Sequence, residues 1–188
     1  MNRAKTLLAG LMLVMASASA WADAYDDAIK LFRDAGQSSA FFGNSYGYAV
    51  FPTIGKAGLI VGGAHGDGKV YVGGRYVGDT TVTKLSVGFQ AGGQAYSQII
   101  FFQNKKALDA FTSNEFEFNA AASAVLITAG ATAEAGTTGA AASASATKKN
   151  AATAGQYENG MVVFSIVKGG AMYEASLGGQ RYTYKPVK

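Results

Sequence analysis

The sequence predicts an α+β protein that is mainly β: a strongly curved antiparallel sheet or barrel-like sheet, with a short N-terminal helix and one inserted helix. Three observations carry this. Among 188 residues, 25 glycines stand against 2 prolines and no cysteine, which suits a sheet with many tight turns better than a helical bundle or a disulfide-stapled domain. Glycines also recur at short intervals inside strand-forming segments, as in Tyr46 to Gly74, YGYAVFPTIGKAGLIVGGAHGDGKVYVGG. Finally, a Gly-Gly-Gln-x-Tyr unit occurs twice, at Gly92-Gly93-Gln94-Ala95-Tyr96 and at Gly178-Gly179-Gln180-Arg181-Tyr182. Glycine within a strand permits bulges, bends and close backbone approach, so Gly58, Gly62, Gly63, Gly66, Gly68, Gly92, Gly93, Gly178 and Gly179 are expected to be structural.

Residues 1–22 read as a secretory signal peptide rather than as part of the fold. Arg3 and Lys5 supply the positive start, Leu7 to Met15 the apolar run, and Ala18-Ser19-Ala20 or Ala20-Trp21-Ala22 the small-x-small cleavage site. Residues 23–188 are then one domain, expected in a bacterial periplasm and peripherally membrane-associated at most. Of the 16 basic residues, removing Arg3 and Lys5 leaves 14 against 12 acidic ones, a net of +2. With no long basic run and no nucleic-acid motif, nucleic-acid binding is not expected.

Asp23 to Ala35 forms an amphipathic helix, with Asp23 as its cap and Tyr25, Ala28, Ile29, Phe32 and Ala35 on one face. Gly36 is its expected stop. Ala49 to Phe51 is a short strand ended by Pro52. Gly58 to Ala64 and Lys69 to Val72 pair as a hairpin around a turn at Gly66-Asp67-Gly68. From Thr83 to Ala91 the alternation sets Thr83, Leu85 and Val87 against Lys84, Ser86 and Gly88. Ser97 to Gln103, apolar on both faces at Ile99 to Phe102, is a central strand. Asn104 caps a short helix whose Ala107, Leu108 and Phe111 point inward. Phe116 and Phe118 resume alternation. Ala121 to Ala133 is a buried strand or small-residue helix, and residues 136–155 form a mobile low-complexity loop. Asn159-Gly160 turns the chain into Met161 to Val167, and Ala171 to Leu177 with Arg181 to Tyr184 complete the sheet.

No catalytic constellation stands out. There is no cysteine, no Gly-x-Ser-x-Gly elbow and one histidine, His65. His65 with Asp67 falls short of the three or more protein ligands of a metal site. Gly63 to Gly68 lacks the Lys-Ser/Thr pair of a phosphate loop and leads into a strand. The carboxylate pairs Asp26-Asp27 and Glu115/Glu117 have structural explanations, at a helix start and on a polar strand face. The chain is therefore expected to be no enzyme, with no catalytic residues, metal or cofactor. Its aromatic set, Phe41, Phe42, Tyr46, Tyr48 and Phe51 near Lys56, fits either a membrane interface or the core of a small β domain.

These residues resemble the SYLF lipid-binding domain family, also described as the actin-regulator-type domain of a yeast cortical protein. The resemblance rests on Tyr48-Ala-Val-Phe51-Pro52, Lys56-Ala-Gly58, Gly62-Gly63 with Gly66-x-Gly68, Gly92-Gly93-Gln94-Ala-Tyr96-Ser with Ile99 to Phe102, Asn104 to Phe111, and Gly169-Gly170 to Gln180. It implies binding of anionic phospholipid at a membrane surface by a secreted bacterial branch of the family, lacking an accompanying Src-homology or FYVE module. It supplies no catalytic residues. Lys30, Arg33, Phe41, Phe42 and Lys56 are the expected lipid contacts. The other readings are a periplasmic structural or protein-interaction module without lipid binding, an outer-membrane β-barrel and a hydrolase.

Overall fold

A computed structural model of the chain describes residues 24–58, 61–87, 94–113, 115–118, 122, 124–127, 155–169 and 177–188. Residues 1–22 (read above as a signal peptide), Asp23, Gly92, Gly93, Ala171 to Ser176 and most of 136–155 lie outside those residues. Eight strands form one sheet: β1 (Gly47–Gly58), β2 (Val61–Val72), β3 (Arg75–Val87), β4 (Gln94–Phe102), β5 (Phe116–Glu117), β6 (Val125–Ile127), β7 (Met161–Gly169) and β8 (Gln180–Pro186), in the order β5-β8-β3-β2-β1-β4-β7-β6. Every described pairing is antiparallel except β6 with β7, which is parallel. The sheet curls into a half-barrel. Helix α1 occupies 24–34, with α2 (Gly36–Ser39) and α3 (Phe41–Asn44) following directly, and α4 (Lys105–Thr112) lies between β4 and β5.

The curl can be read from side chains that meet across it. β8 and β4 are four places apart in the sheet order, roughly 19 Å on a flat sheet at about 4.8 Å per strand. Yet the Tyr182 hydroxyl of β8 donates to Gln98 Oε1 of β4 at 2.9 Å. The Phe51 and Tyr182 ring centroids are likewise 5.7 Å apart. Glycine makes room for this. A Cβ on Gly68 would stand 2.5 Å from the Phe51 ring, and one on Gly66 would stand 2.7 Å from Ile54 Cγ1.

Both sheet faces are buried. The inner cluster joins Phe51, Ile54, Val70, Val82, Ile100, Phe102 and Tyr182 with Phe111 of α4. The outer cluster joins Val50, Ile99, Phe101 and Phe164 with Tyr25, Ala28, Phe32 and Ala35 of the N-terminal helical segment. The expected helix face is thus the buried one, and β4 is central, its alternate residues feeding both clusters. A barrel wall facing lipid has no place for the helical cover that lies on this outer face.

Three local expectations are corrected. β1 does not end at Pro52 but runs through it, because the register against both neighbours shifts between Val50 and Gly55. The irregularity accommodates a residue with no N–H, and the Pro52 carbonyl accepts from buried Ser97 Oγ at 2.7 Å. Gly66-Asp67-Gly68 is not a turn: β2 passes straight through it, paired with Val82 to Thr80 of β3. The turn falls at Gly73-Gly74, whose φ values of +56° and +77° are those a two-residue hairpin connection requires. Gly36 does not stop the helical segment; the break is at Ala35, in extended conformation, and Gly36 opens α2.

Other local signals hold at described residues. Asn104 caps α4, its Oδ1 accepting from the Ala107 amide at 3.0 Å. Asn159 and Gly160 make a turn with φ of +52° and +79° before β7. Residues 125–127 of the Ala-rich stretch are a strand.

Candidate functional site: the α1 face and its aromatic bed

The spacing of α1 sends its apolar residues onto the sheet and leaves Lys30, Leu31 and Arg33 exposed. Lys30 pairs with Asp34 one turn on. The Arg33 guanidinium lies 4.8 Å above the Phe42 ring. That geometry is a cation–π contact, so Arg33 keeps its charge at the surface while its carbon stem covers an aromatic ring. Beside α1, a recess of about 350 Å³ is lined by Asp27, Lys30, Leu31, Asp34, Ser97 and Lys168. The Lys168 ammonium donates to Thr53 Oγ1 at 3.1 Å.

Phe41 and Phe42 are half-buried. Phe41 sits 5.2 Å from Phe164 and 5.6 Å from Phe101 between ring centroids. Phe42 meets Phe101 edge-on at 4.9 Å and Tyr48 at 5.3 Å. The two rings are therefore a bed that docks α3 onto the sheet, with Phe42 presenting its other side to Arg33. The structure thus brings Arg33 and Phe42 together on one surface with Lys30. Lys56 is in β1, opposite Ala64 of β2 and Gln94 of β4; its side chain is outside what the structure describes.

A second aromatic group escaped sequence reasoning. Lys69 of β2 places its ammonium 4.4 Å from the Tyr25 ring centroid and 5.2 Å from that of Tyr76. Tyr71 stacks on Tyr48 at 5.1 Å, and the Tyr76 hydroxyl donates to Asp79 at 2.6 Å. Burial pushes the Tyr25 hydroxyl up to about 12, helped by the negative charges of Asp67 and Asp79. Tyr71 is also raised to about 12, again chiefly by burial, and Tyr76 to about 12 by partial burial together with its hydrogen bond to the Asp79 carboxylate. The signal in the sequence was the tyrosine spacing across Tyr71 and Tyr76, but only the β2–β3 register and the α1 docking show that Tyr25 joins them.

The residues weighed for chemistry are dispersed. His65 is exposed, 3.9 Å from Asp67. Glu117 pairs with Arg181 at 3.6 Å. Among the described residues, no group of three or more His, Cys, Asp or Glu side chains is placed to hold a metal ion. No helix among them is long and apolar enough to cross a membrane, which leaves strands unaddressed.

Comparison with known proteins places the chain in a family. The Ysc84 family, described as "Las17-binding protein actin regulator", matches residues 83–185. The chain is also similar to "Beta cell expansion factor A" of Aeromonas veronii, 30% identical over 157 residues, which is 82% of this chain and 51% of that protein. The chain thus spans about half the length of that curated relative.

Proposed function

The chain belongs to the Ysc84 family, and on that premise we propose that it is a non-enzymatic envelope protein that binds anionic phospholipid at a membrane surface. The observation that carries this reading is the outer face of α1, where exposed Lys30 and Arg33 flank exposed Leu31 and Arg33 lies on Phe42. Each basic side chain near an anionic bilayer contributes about 1 kcal/mol of attraction. With a formal net charge of only +4 over the whole chain, attraction must come from clustering. A signal peptide at 1–22 would deliver the protein to the periplasm, where it would meet phospholipid as a peripheral protein.

Charge reversal at Lys30→Glu with Arg33→Glu tests the surface. Anionic-vesicle binding should weaken by at least about tenfold, given about 1 kcal/mol per basic residue. Binding unchanged in a folded double variant would remove α1 from the contact.

A further inference from the structure

The topology gathers a second surface at one end of the half-barrel, from segments far apart in sequence. Gly47 at the start of β1 is paired with Val72 at the end of β2 and with Phe102 at the end of β4. Val72 is paired with Arg75 at the start of β3, Phe102 with Met161 at the start of β7, and Asp79 with Lys185 of β8. One rim therefore holds the β2–β3 turn, the entrance to β1, the start of α4, the Asn159-Gly160 turn and the end of β8.

Its composition is uneven. Residues 45–50, 69–79, 99–109, 157–164 and 185–188 carry six basic side chains against Asp79, Asp109 and Glu158, a net of +3, where residues 23–188 together are net +2. Elsewhere in 23–188 the charges nearly cancel, at eight basic and nine acidic. Asp109 is neutralised by Lys105 at 2.7 Å, and Asp79 is bonded to Tyr76. The rim also carries two of the large hydrophobic side chains that remain exposed, Tyr46 and Tyr76, each at 40%. Neither ring is needed to fill the core. Tyr46 is held in place by its amide, which donates to the Phe102 carbonyl at 2.8 Å, and Tyr76 by its hydroxyl bond to Asp79.

We infer that this rim is a docking face for an anionic bilayer, with Tyr46 and Tyr76 at headgroup depth and Arg75, Lys106 and Lys185 against the lipid phosphates. Charge complementarity selects this occupant, since cationic side chains around exposed amphipathic rings are the chemistry of an anionic water–lipid interface. The inference rests on the phospholipid reading above and adds a face to it: the rim meets the bilayer end-on, beside the α1 surface. α3 links the two, because Ser45 and Tyr46 follow it directly into β1.

The test uses residues 23–188, the chain without the segment read as a signal peptide, and vesicles of phosphatidylcholine with and without phosphatidylglycerol. The wild-type protein is compared with Arg75→Glu/Lys106→Glu/Lys185→Glu. A second readout exploits the absence of cysteine: an environment-sensitive fluorophore is attached at Gln103→Cys on the rim or at exposed Thr83→Cys, toward the other end of β3. The expected result is at least about a tenfold loss of anionic-vesicle binding in the triple variant, from about 1 kcal/mol per basic residue. Blue-shifted emission is expected at the rim and unchanged emission at position 83. If the wild type binds and the triple variant binds equally, with the rim fluorophore remaining in water, the rim is wrong and the phospholipid reading stands. If the wild type binds neither vesicle, the phospholipid reading itself falls and the rim falls with it.

Discussion

The Phe51 ring lies directly against the backbone of Gly68, so close that a Cβ at Gly68 would stand 2.5 Å from two of its ring carbons and 2.9 Å from Thr80 Cγ2. Phe51 is fully buried and reaches across β2 toward Tyr182 of β8. The absent side chain is what lets the ring lean over the neighbouring strand, and the leaning ring fills the inside of the curl. Gly68→Ala is expected to destabilise the fold by about 1–3 kcal/mol through overpacking. Gly55→Ala, where a Cβ would meet nothing within 4 Å, is the control. Urea midpoints of the two variants check this. Equal midpoints would mean that the ring shifts at little cost.

A buried polar chain ties β8 to β4 inside the half-barrel. The single Tyr182 hydroxyl proton is shared between Gln98 Oε1 at 2.9 Å and Gln180 Oε1 at 2.5 Å, and Gln180 Nε2 donates to the Tyr96 hydroxyl at 3.4 Å. Tyr182→Phe leaves these amide oxygens short of a donor. It should lower stability by about 1–3 kcal/mol, as expected when a buried acceptor loses its partner. Wild-type stability in Tyr182→Phe would show that the chain re-pairs without it.

α4 should depend on its cap. Asn104→Ala removes the acceptor for the Ala107 amide and is expected to cost about 0.5–2 kcal/mol. Asn104→Asp should retain most of the stability. Comparison of their thermal unfolding decides whether the cap or the side-chain volume matters.

Alkali should act through the tyrosine group. The hydroxyls of Tyr25, Tyr71 and Tyr76 are raised from the ordinary value of 10.0 to about 12, so the folded state holds these protons longer than the unfolded chain does. The stability they contribute is complete below about pH 10 and is lost as pH rises from 10 toward 12. A tyrosinate absorbance titration should show a late-ionising fraction that joins the main transition once the protein is unfolded in denaturant. A single transition near 10 in the folded protein would contradict the arrangement.

The parts legible in the sequence were those governed by local chemistry. The 3.6-residue spacing of Tyr25, Ala28, Phe32 and Ala35 identified the buried face of α1, Asn104 its role as a cap, and Ile99 to Phe102 a strand buried on both faces. Two of the three misreadings share one cause. Gly66-Asp67-Gly68 has the composition of a turn, but its glycines face the inner side of the sheet, where Phe51 and Ile54 from β1 occupy the space of their missing side chains. Pro52 has the character of a terminator, but the β1 register slips around it. In both cases a partner strand overrode a local signal. For the site, the exposure of Lys30 and Arg33 on α1 was legible, whereas Arg33 on Phe42 and Lys69 between Tyr25 and Tyr76 depend on how the helix docks. The double Gly-Gly-Gln-x-Tyr unit was visible as a repeat, but not that Gln180 of the second copy would reach Tyr96 of the first.

The central claim is peripheral binding to anionic phospholipid, and co-sedimentation of the purified chain with vesicles tests it most directly. Neutral and anionic vesicles are compared at low and at physiological salt. The account predicts pelleting with anionic vesicles only, weakened as salt screens Lys30 and Arg33 of α1 and the basic residues of the rim. Failure to pellet with anionic vesicles at low salt, or equal pelleting with both lipids at either salt, would contradict it.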